Sequence, residues 1–296
     1  MTKLFRVASV VAVPLLLASV AVAADTGTPE ETAFRPCRDC HDTVAADFLS
    51  NPHRRAVAPA DSAAAEQVCA SCHGDGAKHA AEGDAALISV PRESKGAQTC
   101  LSCHARKEDL AGAASGAHVG ASVYCGECHS IHAAPAGAAR LLRASEDELC
   151  ASCHPAPAAQ HRKPYAHRLD RDAMSCVSCH NPHGGSGGRS LKQTLAGEQP
   201  CLACHTEKRG PFVFEHVGGL RGDCMSCHEP HGSNNPKRLI RPRVDRLCLE
   251  CHTTLPKANL GSQPPSFHDL RSPRYANCTT CHAAIHGSNV SPLLLK

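Results

Sequence analysis

Cysteine placement constrains this chain more than any other feature of its sequence. The 20 Cys residues form ten C-x-x-C pairs, and a His directly follows every pair. The pairs begin at Cys37, Cys69, Cys100, Cys125, Cys150, Cys176, Cys201, Cys224, Cys248 and Cys278. They recur at intervals of 23 to 32 residues, so the sequence is an internal repeat with no Cys left over.

Three kinds of chemistry use C-x-x-C pairs. Pairs about 20 residues apart resemble zinc ribbons, and paired Cys can also form disulfides. Neither alternative requires a His after every pair, whereas C-x-x-C-H is the attachment sequence of c-type haem. On one helical turn, residues i, i+3 and i+4 are neighbours, so two thiols reach the vinyl groups of one porphyrin while the imidazole reaches its iron. The repeat therefore predicts ten covalently attached haems c, with zinc and disulfides as the alternatives.

The motif itself identifies the residues that attach each haem and the first ligand of its iron. The predicted thioether residues are Cys37, Cys40, Cys69, Cys72, Cys100, Cys103, Cys125, Cys128, Cys150, Cys153, Cys176, Cys179, Cys201, Cys204, Cys224, Cys227, Cys248, Cys251, Cys278 and Cys281. The predicted proximal iron ligands are His41, His73, His104, His129, His154, His180, His205, His228, His252 and His282.

Eleven further His residues follow a two-motif period. Each even-numbered motif has one of these His residues before it and one after it. In this assignment no such His belongs to an odd-numbered motif. The predicted distal iron ligands are His53, His79, His118, His132, His167, His183, His216, His231, His268 and His286. His161 shares an interval with His167 and is expected not to be a ligand. A His three residues past a proximal ligand is poorly placed to reach the far face of the same iron, so we expect it to bind a neighbouring haem.

The number of predicted iron ligands indicates the class of function. Ten proximal and ten distal His leave no iron position open for a substrate. Met is scarce, with Met174 and Met225 the only ones after the first residue. Ligation by His on both faces predicts lower potentials than Met/His ligation. We therefore expect an electron carrier, not an enzyme; a multihaem oxidoreductase with one open haem is the alternative.

The expected fold is a chain of haems wrapped by short α-helices and irregular loops, elongated, with little or no β-sheet. Aromatic residues make up only 3% of the chain, so porphyrins must supply the missing interior. Ser145 and Glu148 form a capping-box pattern before Cys150, and Asp61 precedes a helical pattern leading to Cys69. The repeat divides into five two-haem modules, at about 37–84, 100–137, 150–188, 201–235 and 248–288.

Residues 1–23 have the pattern of a secretory signal peptide. Lys3 and Arg6 precede an apolar run, and Ala21-Val22-Ala23 fits the small-x-small cleavage site. No later stretch is apolar and long enough to cross a bilayer. We therefore expect an exported decahaem domain at 24–296, located in the periplasm, with no transmembrane helix in the mature chain.

The formal charge changes sign once cofactors are counted. The net charge is +3, and loss of Lys3 and Arg6 leaves 29 basic against 28 acidic residues. Each haem with two His ligands and ionised propionates adds about −1 when oxidised and about −2 when reduced. The holoprotein then reaches about −9 or about −19, so nucleic acid is excluded as a partner. The basic run from Lys237 to Arg246 is either a solvated face or a set of propionate partners.

Several longer motifs resemble one family. They are Cys179-His180-Asn181-Pro182-His183-Gly184, Cys204-His205-Thr206-Glu207-Lys208-Arg209-Gly210-Pro211, Glu215-His216, His231-Gly232-Ser233 and His286-Gly287-Ser288-Asn289. With the ten C-x-x-C-H motifs, they make the mature chain similar to the decahaem periplasmic cytochromes of the MtrA/DmsE family, which includes the PioA and MtoA types. The segment 253–277 is shorter than expected for that family.

The resemblance implies a haem wire inserted into an outer-membrane β-barrel porin, carrying electrons between periplasm and cell surface for extracellular metal reduction or iron oxidation. An outer-surface multihaem cytochrome and small periplasmic electron carriers are the further partners it implies. The alternative is a soluble periplasmic donor to a separate reductase.

Overall fold

The computed structural model describes residues 35–57, 68–91, 94–110, 112–133, 139–169, 174–185, 188–194, 197–216, 223–252, 268 and 272–295. Every Cys and every His of the chain lies in these ranges. The predicted signal peptide at 1–23 and the predicted helix after Asp61 lie outside them.

Short helices carry the repeat. The α-helices of the described ranges are α1 (Arg35–Arg38), α2 (Asp42–Leu49), α3 (Pro52–Val57), α4 (Ala70–His73), α5 (Ala77–Glu82), α6 (Ser94–His104), α7 (Ala117–Gly120), α8 (Cys125–Cys128), α9 (Glu146–Cys153), α10 (Pro155–Gln160), α11 (Cys176–Cys179) and α12 (Val244–Cys248). Single 3-10 turns lie at Ala85–Leu87, Glu108–Leu110, Ala139–Leu141, Gly188–Ser190, Pro200–Ala203, Thr206–Lys208, Cys224–Ser226, Pro236–Arg238, Pro273–Tyr275 and Cys278–Thr280.

Sheet structure is confined to single bridges. No β-strand occurs within the described ranges, and their antiparallel contacts are isolated bridges such as His129–Leu142, His180–Leu191 and His228–Leu239. The predicted fold class, short helices and loops with little or no sheet, is therefore confirmed.

Each motif folds as one helical turn, as its spacing requires. In nine motifs the backbone N–H of the His donates to the carbonyl of the first Cys at 2.8 to 3.0 Å, and the remaining motif, which begins at Cys100, lies inside α6. The helix predicted after Ser145 is present as α9, but the Ser145 hydroxyl bonds to the Glu148 carboxylate and not to the backbone. A reciprocal capping box forms instead at α11, between Ser175 and Ser178.

Apolar burial between the helices is slight. The buried hydrophobic residues of the described ranges are Ala45, Val68, Leu202 and Leu294. Val213 and Val290 are 69% and 76% exposed. The apolar cluster within these ranges is small, with Ala45 and Val68 packed against the partly buried Phe48, so the described residues form little side-chain core. In the same ranges no helix has the length and apolar character needed to cross a membrane.

Candidate haem sites

The motif cysteines lie beside one another in the order of the chain. None of them forms a disulfide. The first Cys of an odd motif hydrogen-bonds to the first Cys of the next motif in all five modules: Cys37 with Cys69, Cys100 with Cys125, Cys150 with Cys176, Cys201 with Cys224, and Cys248 with Cys278. Between modules, the charge of a Cys in the next module adds to desolvation, the largest cause, in raising a thiol pKa: at Cys72 from Cys103, at Cys128 from Cys153, at Cys179 from Cys204, and at Cys227 from Cys251. Each motif thus adjoins the next, from the first to the tenth.

Each motif His faces one predicted distal His. The ring centres are 5.8 to 6.4 Å apart in all ten pairs. The pairs are His41–His79, His73–His132, His104–His53, His129–His183, His154–His118, His180–His231, His205–His167, His228–His286, His252–His216 and His282–His268.

This spacing fits a metal ion held between two imidazoles. Two metal–nitrogen bonds of about 2.0 Å, with about 1.1 Å from each nitrogen to its ring centre, separate the centres by about 6 Å. The observed distances match that value, and two thiols stand beside each motif ring. The residues present therefore fit c-type haem with a His on each face of the iron.

The ring pairs cross the module boundaries in both directions. At each boundary the earlier module supplies a distal ring to the first motif of the later module, and the later module supplies one to the last motif of the earlier. At the second boundary, for example, His118 faces His154 while His183 faces His129. Only the end pairs, His41–His79 and His282–His268, form within one module.

Backbone contacts join the two exchanged rings at each boundary. The His118 Nδ1–H donates to the Pro182 carbonyl at 2.8 Å, one residue before His183. The His167 ring makes the same contact with the Pro230 carbonyl at 3.0 Å, next to His231. The other boundaries have equivalent links, from the Asn51 amide to the Ile131 carbonyl and through the Phe214–Ser288 bridge. The two distal rings of one boundary are therefore positioned together.

The glycine after His183 permits this close approach. Gly184 has φ +108°, and a Cβ there would lie 2.9 Å from the Gly112 carbonyl oxygen. An L side chain would meet both backbone strain and a steric clash. Because Gly184 has no side chain, the segment that contains His183 can pack closely against the segment that contains His118.

A hydrogen bond orients the proximal ring of every even-numbered motif. Its Nδ1–H donates to a backbone carbonyl 9 to 16 residues further along the chain, which leaves Nε2 as the metal-binding atom. The acceptors and distances are Ser89 for His73 (2.7 Å), Arg140 for His129 (2.9 Å), Arg189 for His180 (3.1 Å), Lys237 for His228 (2.9 Å) and Leu293 for His282 (2.6 Å).

Burial favours the neutral, metal-binding form of seven of the distal rings. Desolvation is the largest cause of a lowered pKa at His53, His132, His167, His183, His216, His231 and His286. A lowered pKa keeps the imidazole unprotonated near neutral pH, with a lone pair on nitrogen. Side-chain acceptors also orient two of these rings, Asn51 for His53 and Gln160 for His231.

His161 occupies a different position from the other His residues. Its ring centre lies 5.3 Å from that of His231, which already faces His180, and its Nδ1–H donates to the His167 carbonyl at 3.1 Å. His161 therefore contacts the ring of one distal His and the backbone of another, and it faces no motif His among the described residues.

The sequence did not single out the carbonyls that accept from the proximal rings of the even-numbered motifs. A basic residue 9 or 11 positions after three of these motif His residues could have indicated them.

The geometry defines a class of protein, a c-type cytochrome with several covalently bound haems. A family model described as "Doubled CXXCH motif" matches residues 62–109, 118–159, 169–210 and 216–257, more than half of the chain. Each match joins the last motif of one predicted module to the first motif of the next, the same motifs that exchange distal rings. The division into five modules stays a prediction.

A similar protein narrows this class of cytochromes to one family. The "Multiheme cytochrome MtrA" of Shewanella baltica (strain OS185) is 32% identical over 237 residues, which cover 75% of this chain and 68% of the relative. The chain belongs to the MtrA family of multihaem c-type cytochromes. Its function is haem electron transfer, so the expectation of an electron carrier, not an enzyme, is confirmed. The covalently bound cofactor is haem c.

Proposed function

We propose that the chain binds ten haems c, each held by two thioethers and two His ligands. The ten ring pairs are the single observation that carries the proposal, because each joins one motif His to one other His at the spacing of a shared metal. The thioether residues are the 20 Cys, the proximal ligands are the ten motif His, and the distal ligands are the ten rings that face them. Two of these haems, the first and the tenth, lie outside the family matches.

The side chains determine how such irons behave. Haem supplies a reversible one-electron change between ferric and ferrous iron. A His on each face would exclude water and substrate from the metal, and the hydrogen bonds from Nδ1 to backbone carbonyls would strengthen as donors the rings that make them. Rings that hardly move on electron transfer lower the reorganisation needed at each step. The irons are therefore suited to passing electrons and closed to binding a reactant.

The contacts between motifs support a chain of haems that conducts electrons from one end to the other. Thiol neighbours connect all ten motifs in chain order, so each attached macrocycle has the next one beside it. An electron entering near Cys37 has a continuous series of neighbours to Cys278. A carrier that shuttles electrons from one site needs no such length, which favours conduction from end to end.

We infer that the wire connects the periplasm with the cell surface through an outer-membrane β-barrel porin. The signal-peptide pattern at 1–23 supports export, and the family similarity supports this partner. At the outer end an outer-surface multihaem cytochrome accepts or donates electrons; small periplasmic carriers serve the inner end. Extracellular metal reduction and iron oxidation use the same wire in opposite directions.

Affinity purification tests the conduit. The holoprotein carries an affinity tag and is expressed in its own host with and without a candidate outer-membrane β-barrel porin. We expect detergent-solubilised outer membranes to yield a stoichiometric porin–cytochrome complex. Recovery of all the cytochrome from the soluble periplasmic fraction, bound to no porin, would contradict the conduit and favour a soluble donor to a separate reductase.

A pair of His variants tests the distal set. We expect His167→Ala to convert one of the ten irons from low to high spin, because the ring facing His205 is lost. His161→Ala should leave all irons low-spin, since that ring faces no motif His in the described chain. Absorption and electron paramagnetic resonance spectra check both variants. Identical spectra for the two would contradict the assignment of His167, and not His161, as a distal ligand.

A further inference from the structure

Hydrogen bonds at Nδ1 are distributed regularly over the ring pairs, numbered here by their motifs. The first, third, fifth and seventh pairs have a bonded distal ring, whereas the second, fourth, eighth and tenth have a bonded proximal ring. In these eight pairs the opposite ring makes no Nδ1 hydrogen bond to another described residue, and in the ninth pair neither ring does. One bonded ring per pair is therefore the common arrangement.

The sixth pair departs from this arrangement because both of its rings are bonded. The His180 Nδ1–H donates to the Arg189 carbonyl at 3.1 Å. The His231 Nδ1–H donates to the side-chain oxygen of Gln160, also at 3.1 Å. The two ring planes differ by 28°, and the ring centres are 6.1 Å apart. Gln160 is therefore the residue that gives this pair its second bonded ring.

The backbone around Gln160 packs against the segment that contains His231. Gln160 is the last residue of α10, and a Cβ on Gly232 would overlap its carbonyl oxygen. Five residues later, the Tyr165 N–H donates to the Ser233 carbonyl at 3.2 Å, and the Ser233 N–H donates to the Tyr165 carbonyl at 2.8 Å. Gly232 and Ser233 are both buried. These contacts hold the acceptor side chain beside the ring.

Two other side chains lie near the His231 ring without accepting its proton. The Glu229 Oε1 atom is 4.0 Å from the His231 Nδ1 atom, which is beyond hydrogen-bond distance, and the Glu229 side chain is 34% exposed. The His161 ring packs against His231, but its own Nδ1–H donates to the His167 carbonyl. The Nδ1–H of His231 is therefore directed at Gln160.

An acceptor at Nδ1 changes an imidazole as a metal ligand. It fixes the orientation of the ring and raises the basicity of the nitrogen that binds the metal. A more basic ligand stabilises ferric iron more than ferrous iron, because ferric iron carries the greater positive charge. Hydrogen bonding near the iron is thus one of the factors that determine the potential of a haem. Under the proposed function, on which this inference rests, the sixth haem has two strengthened ligands.

We propose that Gln160 is a positioning residue of the sixth haem and lowers the potential of that haem through His231. The amide oxygen orients the distal ring while the Arg189 carbonyl orients the proximal one. The sixth haem lies inside the series, so an electron that travels from end to end passes it. The bond from Gln160 makes this haem harder to reduce than a haem with one bonded ring.

Three substitutions in the holoprotein test this role. Gln160→Leu removes the acceptor, and we expect one-tenth of the haem absorbance to titrate at a higher potential. The expected shift is at least tenfold in the redox equilibrium constant, or about 59 mV for one electron. Gln160→Glu supplies a charged, stronger acceptor and should move the same fraction to a lower potential. Glu229→Gln should produce a smaller shift than Gln160→Leu, because its carboxylate lies beyond hydrogen-bond distance of the ring.

Opposite shifts from two substitutions at one position cannot come from a general loss of packing. Gln160→Glu retains an acceptor, so it remains informative if Gln160→Leu loses a haem. Unchanged titrations of both Gln160 variants, or shifts of both in the same direction, overturn the role of Gln160 if the irons remain low-spin. A shift in Glu229→Gln as large as that in Gln160→Leu also overturns it. High-spin iron in the unsubstituted protein would instead contradict the proposed ligation by two His residues.

Discussion

We expect His183→Ala to create one high-spin iron, at the haem attached through Cys125 and Cys128 and not at the haem of its own motif. His183 lies three residues after His180, but its ring centre is 6.1 Å from that of His129. Removing the ring opens one coordination position. The reduced variant should therefore bind one carbon monoxide per protein, whereas the unsubstituted protein binds none.

Haem deletions identify which iron has been opened. His183→Ala combined with Cys125→Ala and Cys128→Ala should bind no carbon monoxide, because the haem that His183 serves is gone. The same substitution combined with Cys176→Ala and Cys179→Ala should still bind one. The reverse result would show that His183 serves its own motif, and the exchange across module boundaries would then be wrong. His161→Ala is the control that should bind none.

Under the proposed ligation, exchange across the boundaries between predicted modules should make the repeat fold cooperatively. A module that completed all its own ligation would be independent of its neighbours. Here a boundary forms only when both modules have folded, because each supplies a ring that the other needs. The hydrogen bond from His118 to the Pro182 carbonyl adds a direct link between the two donors. Neighbouring haems at a boundary would therefore be fixed relative to one another by protein contacts as well as by their thioethers.

The sequence predicted the chemistry because that chemistry is local. Five consecutive residues make each attachment turn, and counting His residues indicated a second ligand for each motif. The sequence also predicted that a His three positions after a proximal ligand, such as His183, would bind the iron of a neighbouring haem. It could not identify that haem, because His183 and His129 are 54 positions apart and are brought together by tertiary contacts such as those of Gly184 with Gly112 and of His118 with Pro182. The carbonyl acceptors at Arg140 and Arg189 were hidden for a related reason, since both residues have left-handed backbone conformations that local preference disfavours.

We expect the chain to be unfolded when haem is not attached. Among the described residues only four hydrophobic side chains are buried, and no large side chain is fully buried. Ordering each residue costs roughly 1–2 kcal/mol in backbone entropy, which so little apolar burial cannot offset. The ten macrocycles must supply the missing surface, and the iron–His bonds must join segments far apart in sequence. Attachment of haem is therefore coupled to folding, as metal binding is in small metal-dependent domains.

A variant with all 20 Cys replaced by Ala tests this coupling. We expect a circular dichroism spectrum without cooperative thermal unfolding, and proteolysis at least 100-fold faster than for the holoprotein. A variant that lacks only Cys37 and Cys40 is the control. Its lost haem faces His79 of the same module, so no boundary is broken and the other nine sites should stay folded. A cooperative transition in the fully substituted chain would mean that the polypeptide folds by itself. The reciprocal rings would then follow from the fold, whereas we expect the haems to assemble it.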